Sequence, residues 1–252
     1  MLLGVATDVT TVSWTVGAGA GTALGGLGLL VLRRPSELLL DVLLGFTAGV
    51  MLAATAFSLL VPALERGSLA EVLAGFALGG VCLALLDHFV PHAHLRFAEA
   101  GQGAGAQERA TLLLVALTIH NIPEGLAVGI AFAAGGADLG VPIALAIGIQ
   151  NIPEGFAAAA PLVAAGAHRR GAAALAAATG AVEPPAAFAA LAAFGLASAL
   201  LPGGLAFAAG AMLYVVVDEL IPESHARGHQ LEATIALLAG FGLMLALDNA
   251  FS

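Results

Sequence analysis

The sequence contains no lysine, and all eight of its basic residues are arginines. Charge of either sign is scarce: Asp, Glu, Lys and Arg make up 10% of the 252 residues, where a soluble domain carries about a quarter. With 60% hydrophobic residues and a mean hydropathy of +1.00, this shortage excludes an ordinary soluble globule and points to a chain embedded in a bilayer. The single cysteine, Cys82, excludes an internal disulfide and a thiolate cluster for metal. No G-x-x-x-x-G-K-[ST] phrase occurs, so a phosphate-cradling ATP site is not expected. The formal charge of -9 argues against nucleic acid as a partner. Trp14 and Tyr214 are the only residues of their kinds and read as interfacial or packing residues.

What the sequence has in their place is long apolar runs. Eight of them approach the roughly 20 residues that span a bilayer core: about 12–32, 40–63, 69–89, 111–134, 138–160, 171–194, 203–221 and 231–250. The expected fold is all-α, a polytopic membrane protein of eight transmembrane helices in one domain covering residues 1–252. Met1 to Val12 carry no basic region, so the first helix is expected to act as its own insertion signal. Most runs are dense in Gly and Ala, which lets helix backbones approach closely where lipid supplies no hydrophobic drive.

Arginine placement orients the chain. With both termini outside, Arg33, Arg34, Arg96, Arg109, Arg169, Arg170 and Arg227 fall in or beside cytoplasmic loops, and only Arg66 falls outside. This is the bias of the positive-inside rule, and an odd number of spans would scramble it. The longest loop, about 90–110, is then cytoplasmic. Its approach carries His88, His92 and His94, which read either as a weak metal tract or as solvated interfacial histidines.

Two near-copies of one phrase interrupt the apolar pattern. His120-Asn121-Ile122-Pro123-Glu124-Gly125 is followed thirty positions later by Gln150-Asn151-Ile152-Pro153-Glu154-Gly155. On a helix, His120 and Glu124 lie one turn apart on one face, with Asn121 beside them. Pro123 and Pro153 donate no backbone hydrogen bond and clash with the carbonyls of Ile119 and Ile149, so both helices are expected to kink there. The fourth and fifth spans are thus expected to turn two polar faces toward each other around a central metal site.

An ionised carboxylate at bilayer mid-depth costs roughly 3 kcal/mol even on the lenient scale. Glu124, Glu154 and Glu183 all lie near the middle of expected spans, Glu183 directly before Pro184 and Pro185. No lysine exists and no arginine lies at that depth, so the missing counter-charge is read as a bound divalent cation. Imidazole nitrogen with carboxylate and amide oxygens suits Zn²⁺, and also Fe²⁺, Mn²⁺ or Cd²⁺; without a thiolate, Cu(I) is disfavoured. The duplicated carboxylates suggest two ions, bridged by Glu124 and Glu154.

The paired phrases resemble the signature of the ZIP family, the zinc/iron-regulated transporter-like proteins, in its bacterial type. In that family an H-N-x-P-E-G motif in the fourth helix is followed by a related H/Q-x-x-P-E-G motif in the fifth. The resemblance implies eight helices, outside termini and a binuclear centre. That centre would use His120, Asn121 and Glu124 with Gln150, Asn151 and Glu154, completed by Glu183. It also implies a thioether ligand at Met51, which otherwise reads as core, and Gln150 stands where many members have histidine. Along the route, Ser58 and Glu65 project from about the same face as Met51. Glu65 reads as a cation-attracting entrance or as a solvated acid beside Arg66. Asp218, Glu219, Glu223 and His225 align with a release path, where interfacial solvation is the other reading.

The expected protein is not an enzyme and needs no cofactor. It is a carrier of Zn²⁺ or a similar divalent ion (Fe²⁺, Mn²⁺, Cd²⁺) toward the cytoplasm by alternating access of the elevator type, in the plasma (inner) membrane. Its expected partners are the lipid bilayer and the metal ion, with a second copy of the chain as a candidate homodimer partner. Two other readings are open on the residues alone. An intramembrane metal-dependent hydrolase would need a general base, and H-E-x-x-H is absent. A proton-coupled carrier of an organic solute would use the carboxylates as proton relays.

Overall fold

A computed structural model describes residues 8–32, 35–89 and 106–251, so His92, His94, Arg33, Arg34, Arg96 and most of the 90–110 loop lie outside the described residues. Among the described residues every regular element is a helix. Helix α1 (Val9–Val31) starts where the Asp8 carboxylate accepts from the Thr11 N–H at 2.8 Å. Helix α2 (Glu37–Ala53) starts at Ser36, whose hydroxyl accepts from the Leu39 N–H at 3.1 Å. Such caps satisfy N–H groups left over at a helix start.

Helix α2 does not end at Ala53. It runs through a π-helical turn, Ala54–Leu60, into α3 (Val61–Arg66). The cause is Pro62, whose ring would clash with the Ser58 carbonyl in a regular helix; the wider turn makes room. The same solution recurs near the other end of the chain. Helix α8 (Leu201–Val215) passes through a π-helical turn, Val216–Leu220, into α9 (Ile221–Ser224), with Pro222 on its second residue. Helix α4 (Leu69–Phe89) precedes the loop, and α10 (Gln230–Phe251) closes the bundle.

The 59-residue run α5 (Ala106–Ala164) contains both phrases and is interrupted at Gly136, where φ is 58° and ψ is -139°. A straight helix would hold residues 124 and 150 about 39 Å apart, yet the Gln150 side chain hydrogen-bonds Glu124. The run therefore doubles back at Gly136, a left-handed backbone position that a glycine adopts without strain. The expected sixth span is not continuous either. It is α6 (Arg169–Gly180) and α7 (Glu183–Leu196), and Pro184 and Pro185 at the start of α7 put Glu183 at a helix N-terminus, where a negative charge is favoured.

Seven helical runs among the described residues are long and apolar enough to cross a membrane, one of them the 48-residue Leu117–Ala164. By run length in the sequence that stretch holds two expected spans, 111–134 and 138–160. By this measure the structure shows a polytopic all-helical protein.

Glycines set the packing. A Cβ on Gly25 of α1 would fall on the Ile152 carbonyl and within 2.8 Å of the Phe156 N–H nitrogen, and one on Gly129 would fall on the Ala187 carbonyl of α7. Helices α1 and α7 thus flank the two halves of α5. On the other side of the bundle, Gly49 of α2 meets the Leu237 carbonyl of α10, and Gly79 of α4 meets the Phe207 carbonyl of α8. A central core containing Met51, Ile143, Ile147 and Met212 lies where the two sides meet. Gly25→Leu is expected to destabilise the protein by about 1–3 kcal/mol through overpacking. Thermal melting in detergent checks it, with Gly17→Leu, where a Cβ meets nothing within 4 Å, as the control that leaves melting unchanged.

Candidate metal centre

The reversal at Gly136 brings the two phrases face to face. His120 Nε2 lies 3.7 Å from Glu124 Oε1 and 3.6 Å from Glu154 Oε2. One ligand atom from each of the three residues fits within 4.8 Å of the others, and all three residues are buried. A tetrahedral zinc with bonds of about 2.0–2.2 Å separates its ligand atoms by roughly 3.4 Å. The two distances to the imidazole are within a few tenths of an ångström of that separation.

The polar atoms are also unsatisfied in the way a cation would repair. Both ring nitrogens of His120, Glu124 Oε2, both carboxylate oxygens of Glu154, Gln150 Oε1 and Asn151 Oδ1 are buried without a hydrogen-bond partner. Buried polar groups are paired in nearly all structures. An unpaired cluster of one imidazole, two carboxylates and two amide oxygens is the donor set of a divalent transition metal.

The amide donors occupy the remaining carboxylate oxygens. Gln150 Nε2 donates to Glu124 Oε1. Asn151 Nδ2 donates to Glu183, lying 2.9 Å from each carboxylate oxygen, and lies 2.9 Å from the Ala18 carbonyl of α1. The Thr22 hydroxyl, also on α1, reaches Glu183 Oε1 at 3.4 Å. Two lobes result: His120, Glu124, Gln150 and Glu154 in one, Asn151, Glu183 and Thr22 in the other. Asn121 is buried on the same turn as His120.

Of the other residues singled out in the sequence, Glu219 joins the site, with its Oε2 3.8 Å from His120 Nδ1 and its side chain 23% exposed. Met51 is fully buried in the central apolar core. Ser58 is buried and donates to Asp248 Oδ1 of α10 at 2.8 Å. Glu65 is exposed, 4.0 Å from Arg66. Asp218 is exposed. Glu223 is buried and paired with Arg227, and His225 contacts the Ile221 carbonyl at 2.8 Å.

Four residues escaped the sequence reading. Asp248 and Asp41 are acids inside apolar runs, and that alone could have flagged them. Arg227 entered only as a loop charge, whereas its Nη1 lies 2.8 Å from fully buried Asp41. Thr22 carries no signal in a Gly-rich helix.

A family model described as ZIP Zinc transporter matches residues 96–248. The chain is 45% identical over 240 residues to the zinc transporter GufA of Myxococcus xanthus, an alignment covering 92% of this chain and 94% of that protein. It is 42% identical over 250 residues to the zinc transporter ZIPB of Bordetella bronchiseptica, covering 92% of this chain and 78% of that protein. Against the zinc transporter ZupT of Stenotrophomonas maltophilia identity is 32% over 255 residues, covering 91% of each chain.

Proposed function

From the premise that this chain belongs to the ZIP zinc transporter family, a family of transporters and not of enzymes, we propose that it carries Zn²⁺, or Fe²⁺, Mn²⁺ or Cd²⁺, across the plasma (inner) membrane toward the cytoplasm. The observation that carries this reading is the convergence of His120, Glu124 and Glu154, buried and with unpaired ligand atoms. A hydrolase gains nothing from that arrangement without a general base, and a carrier of organic solutes leaves the unpaired nitrogen and oxygen donors unexplained.

The proposed topology has eight spans, because the 48 residues of Leu117–Ala164 amount to two crossings of about 20–24 residues each, kinked at Pro123 and Pro153. Both termini are then outside, as the arginine bias requires. Two ions are proposed to share the site, bridged by Glu124 and Glu154 and completed by Asn121, Asn151 and Glu183, with the Met51 thioether at the outer side. Ser58 and Glu65 mark the outer approach and Asp218, Glu219, Glu223 and His225 the inner one.

In an elevator-type cycle, α1, α5, α6 and α7 move as a block against the other helices. The core side chains Met51, Ile143, Ile147 and Met212 are at most 1% exposed, which supports a state closed at the outer side. Glu219, 23% exposed and 3.8 Å from His120, supports an exit on the inner side. The membrane potential favours entry by about 2.3 kcal/mol per charge per 100 mV. A homodimer would use α4 and α10, whose apolar windows are only 22% and 17% buried; light scattering in detergent tests that part.

Uptake of radiolabelled zinc into proteoliposomes tests the whole reading. Rates no higher than those of protein-free vesicles would refute it. Gln150→His is expected to tighten binding on the order of tenfold, about 1.4 kcal/mol, and to slow release, because imidazole is a stronger ligand than an amide oxygen. Faster uptake at unchanged affinity would contradict this.

A further inference from the structure

The glycines that end the two phrases do parallel work. A Cβ on Gly125 would fall on the Glu183 carbonyl and within 2.9 Å of the Glu183 Cα, while one on Gly155 would fall on the Thr22 carbonyl and within 2.9 Å of the Thr22 Cα. The first half of α5 is seated on Glu183 of α7 as the second half is seated on Thr22 of α1. Thr22 therefore occupies, on the opposite flank of the site, the place equivalent to that of the glutamate. Its side chain turns toward that glutamate: Oγ1 lies 3.4 Å from Glu183 Oε1, and Thr22 is 2% exposed. Gly180 closes in from the far side, where a Cβ would meet Thr22 Cβ and Oγ1 at 2.6 Å. A β-branched side chain has few rotamers to begin with, and this contact restricts them further.

A carboxylate bound to an ion through one oxygen keeps its affinity only if the other oxygen is held, since a freely rotating group must be ordered anew at each binding event. We propose that Thr22 is a positioning residue for Glu183: its hydroxyl at Oε1, together with the Asn151 amide 2.9 Å from both oxygens, fixes the rotation of the carboxylate, and so sets the affinity of the Asn151–Glu183 lobe. This rests on the metal-carrier reading above. Thr22 touches no ion and acts only through the carboxylate.

The test is calorimetric titration of the purified full-length protein with Cd²⁺ and with Zn²⁺, reading affinity and stoichiometry. Thr22→Val keeps the shape and removes the hydroxyl; it is expected to weaken binding at the Glu183 lobe by about tenfold, while Thr22→Ser restores it. In a Glu183→Gln background Thr22→Val is expected to add nothing. Thr22→Ala, which removes the hydroxyl without a second methyl beside Gly180, is the companion variant, and thermal melting reports whether each protein is folded. Wild-type affinity in folded Thr22→Val or Thr22→Ala overturns the proposal. So does a Thr22→Ser protein as weak as Thr22→Val, or a full tenfold loss on top of Glu183→Gln. The carrier reading fails differently: the wild type binds no ion, or Glu124→Ala binds it unchanged, and the role of Thr22 falls with it.

Discussion

Glu124→Ala is expected to reduce zinc uptake by reconstituted protein to the level of protein-free vesicles. Glu124 is fully buried, accepts from Gln150, faces His120 across 3.7 Å and leaves Oε2 unpaired. Removing even a supporting partner of a metal site costs about 10–100-fold in affinity, so removing a charged ligand should cost at least the upper figure. Stability should move the other way. With no ion bound, the wild type holds a carboxylate with one oxygen unpaired, at a cost of up to roughly 3 kcal/mol in a membrane interior, and alanine removes it. The variant is expected to melt at or above the wild-type temperature in metal-free detergent while losing the upward shift that zinc gives the wild type. Uptake at the wild-type rate would sink the assignment of the site, and a collapsed melting temperature would assign Glu124 a structural role.

Arg227→Ala is expected to destabilise the protein by about 3–5 kcal/mol, the effect of leaving a buried charge without its partner. Asp41 of α2 is fully buried; Arg227 Nη1 lies 2.8 Å from its Oδ1 and His229 Nδ1 3.0 Å from its Oδ2. Arg227 also pairs with Glu223, so one guanidinium ties α2 to the end of α9 just before α10. The double variant Arg227→Ala/Asp41→Asn should recover part of the loss, since the neutral amide no longer needs a cation. Thermal melting of the two proteins side by side reads the difference. Equal melting of Arg227→Ala and wild type would show that His229 alone satisfies Asp41.

Helix content and the presence of long apolar stretches were legible because run length is a local property; eight such stretches are read from the sequence, and seven helical runs meet the measure among the described residues. Continuity was less so. The break before Glu183 could have been read from Pro184 and Pro185, which belong at a helix start. The π-helical turns before Pro62 and Pro222 show a second answer to the same steric conflict, one a proline does not announce. The six polar residues of the duplicated phrase are all buried, but spacing along the chain could not say which oxygen is taken by an amide and which is left free.

By itself the sequence determined that this is a helical membrane protein, that its buried polar side chains offer nitrogen and oxygen donors without sulfur from cysteine, and that it belongs to the ZIP family. Hydropathy, composition and a contiguous motif carry all three. Only the tertiary structure decided that Glu124 meets Gln150, that Glu219 approaches His120, that Ser58 pairs with Asp248 and that Thr22 reaches Glu183. The reason is physical. Those partners, from 26 to 190 residues apart along the chain, are set by where the chain reverses at Gly136 and where glycines let one helix rest on another's carbonyls, and no local pattern encodes such distances.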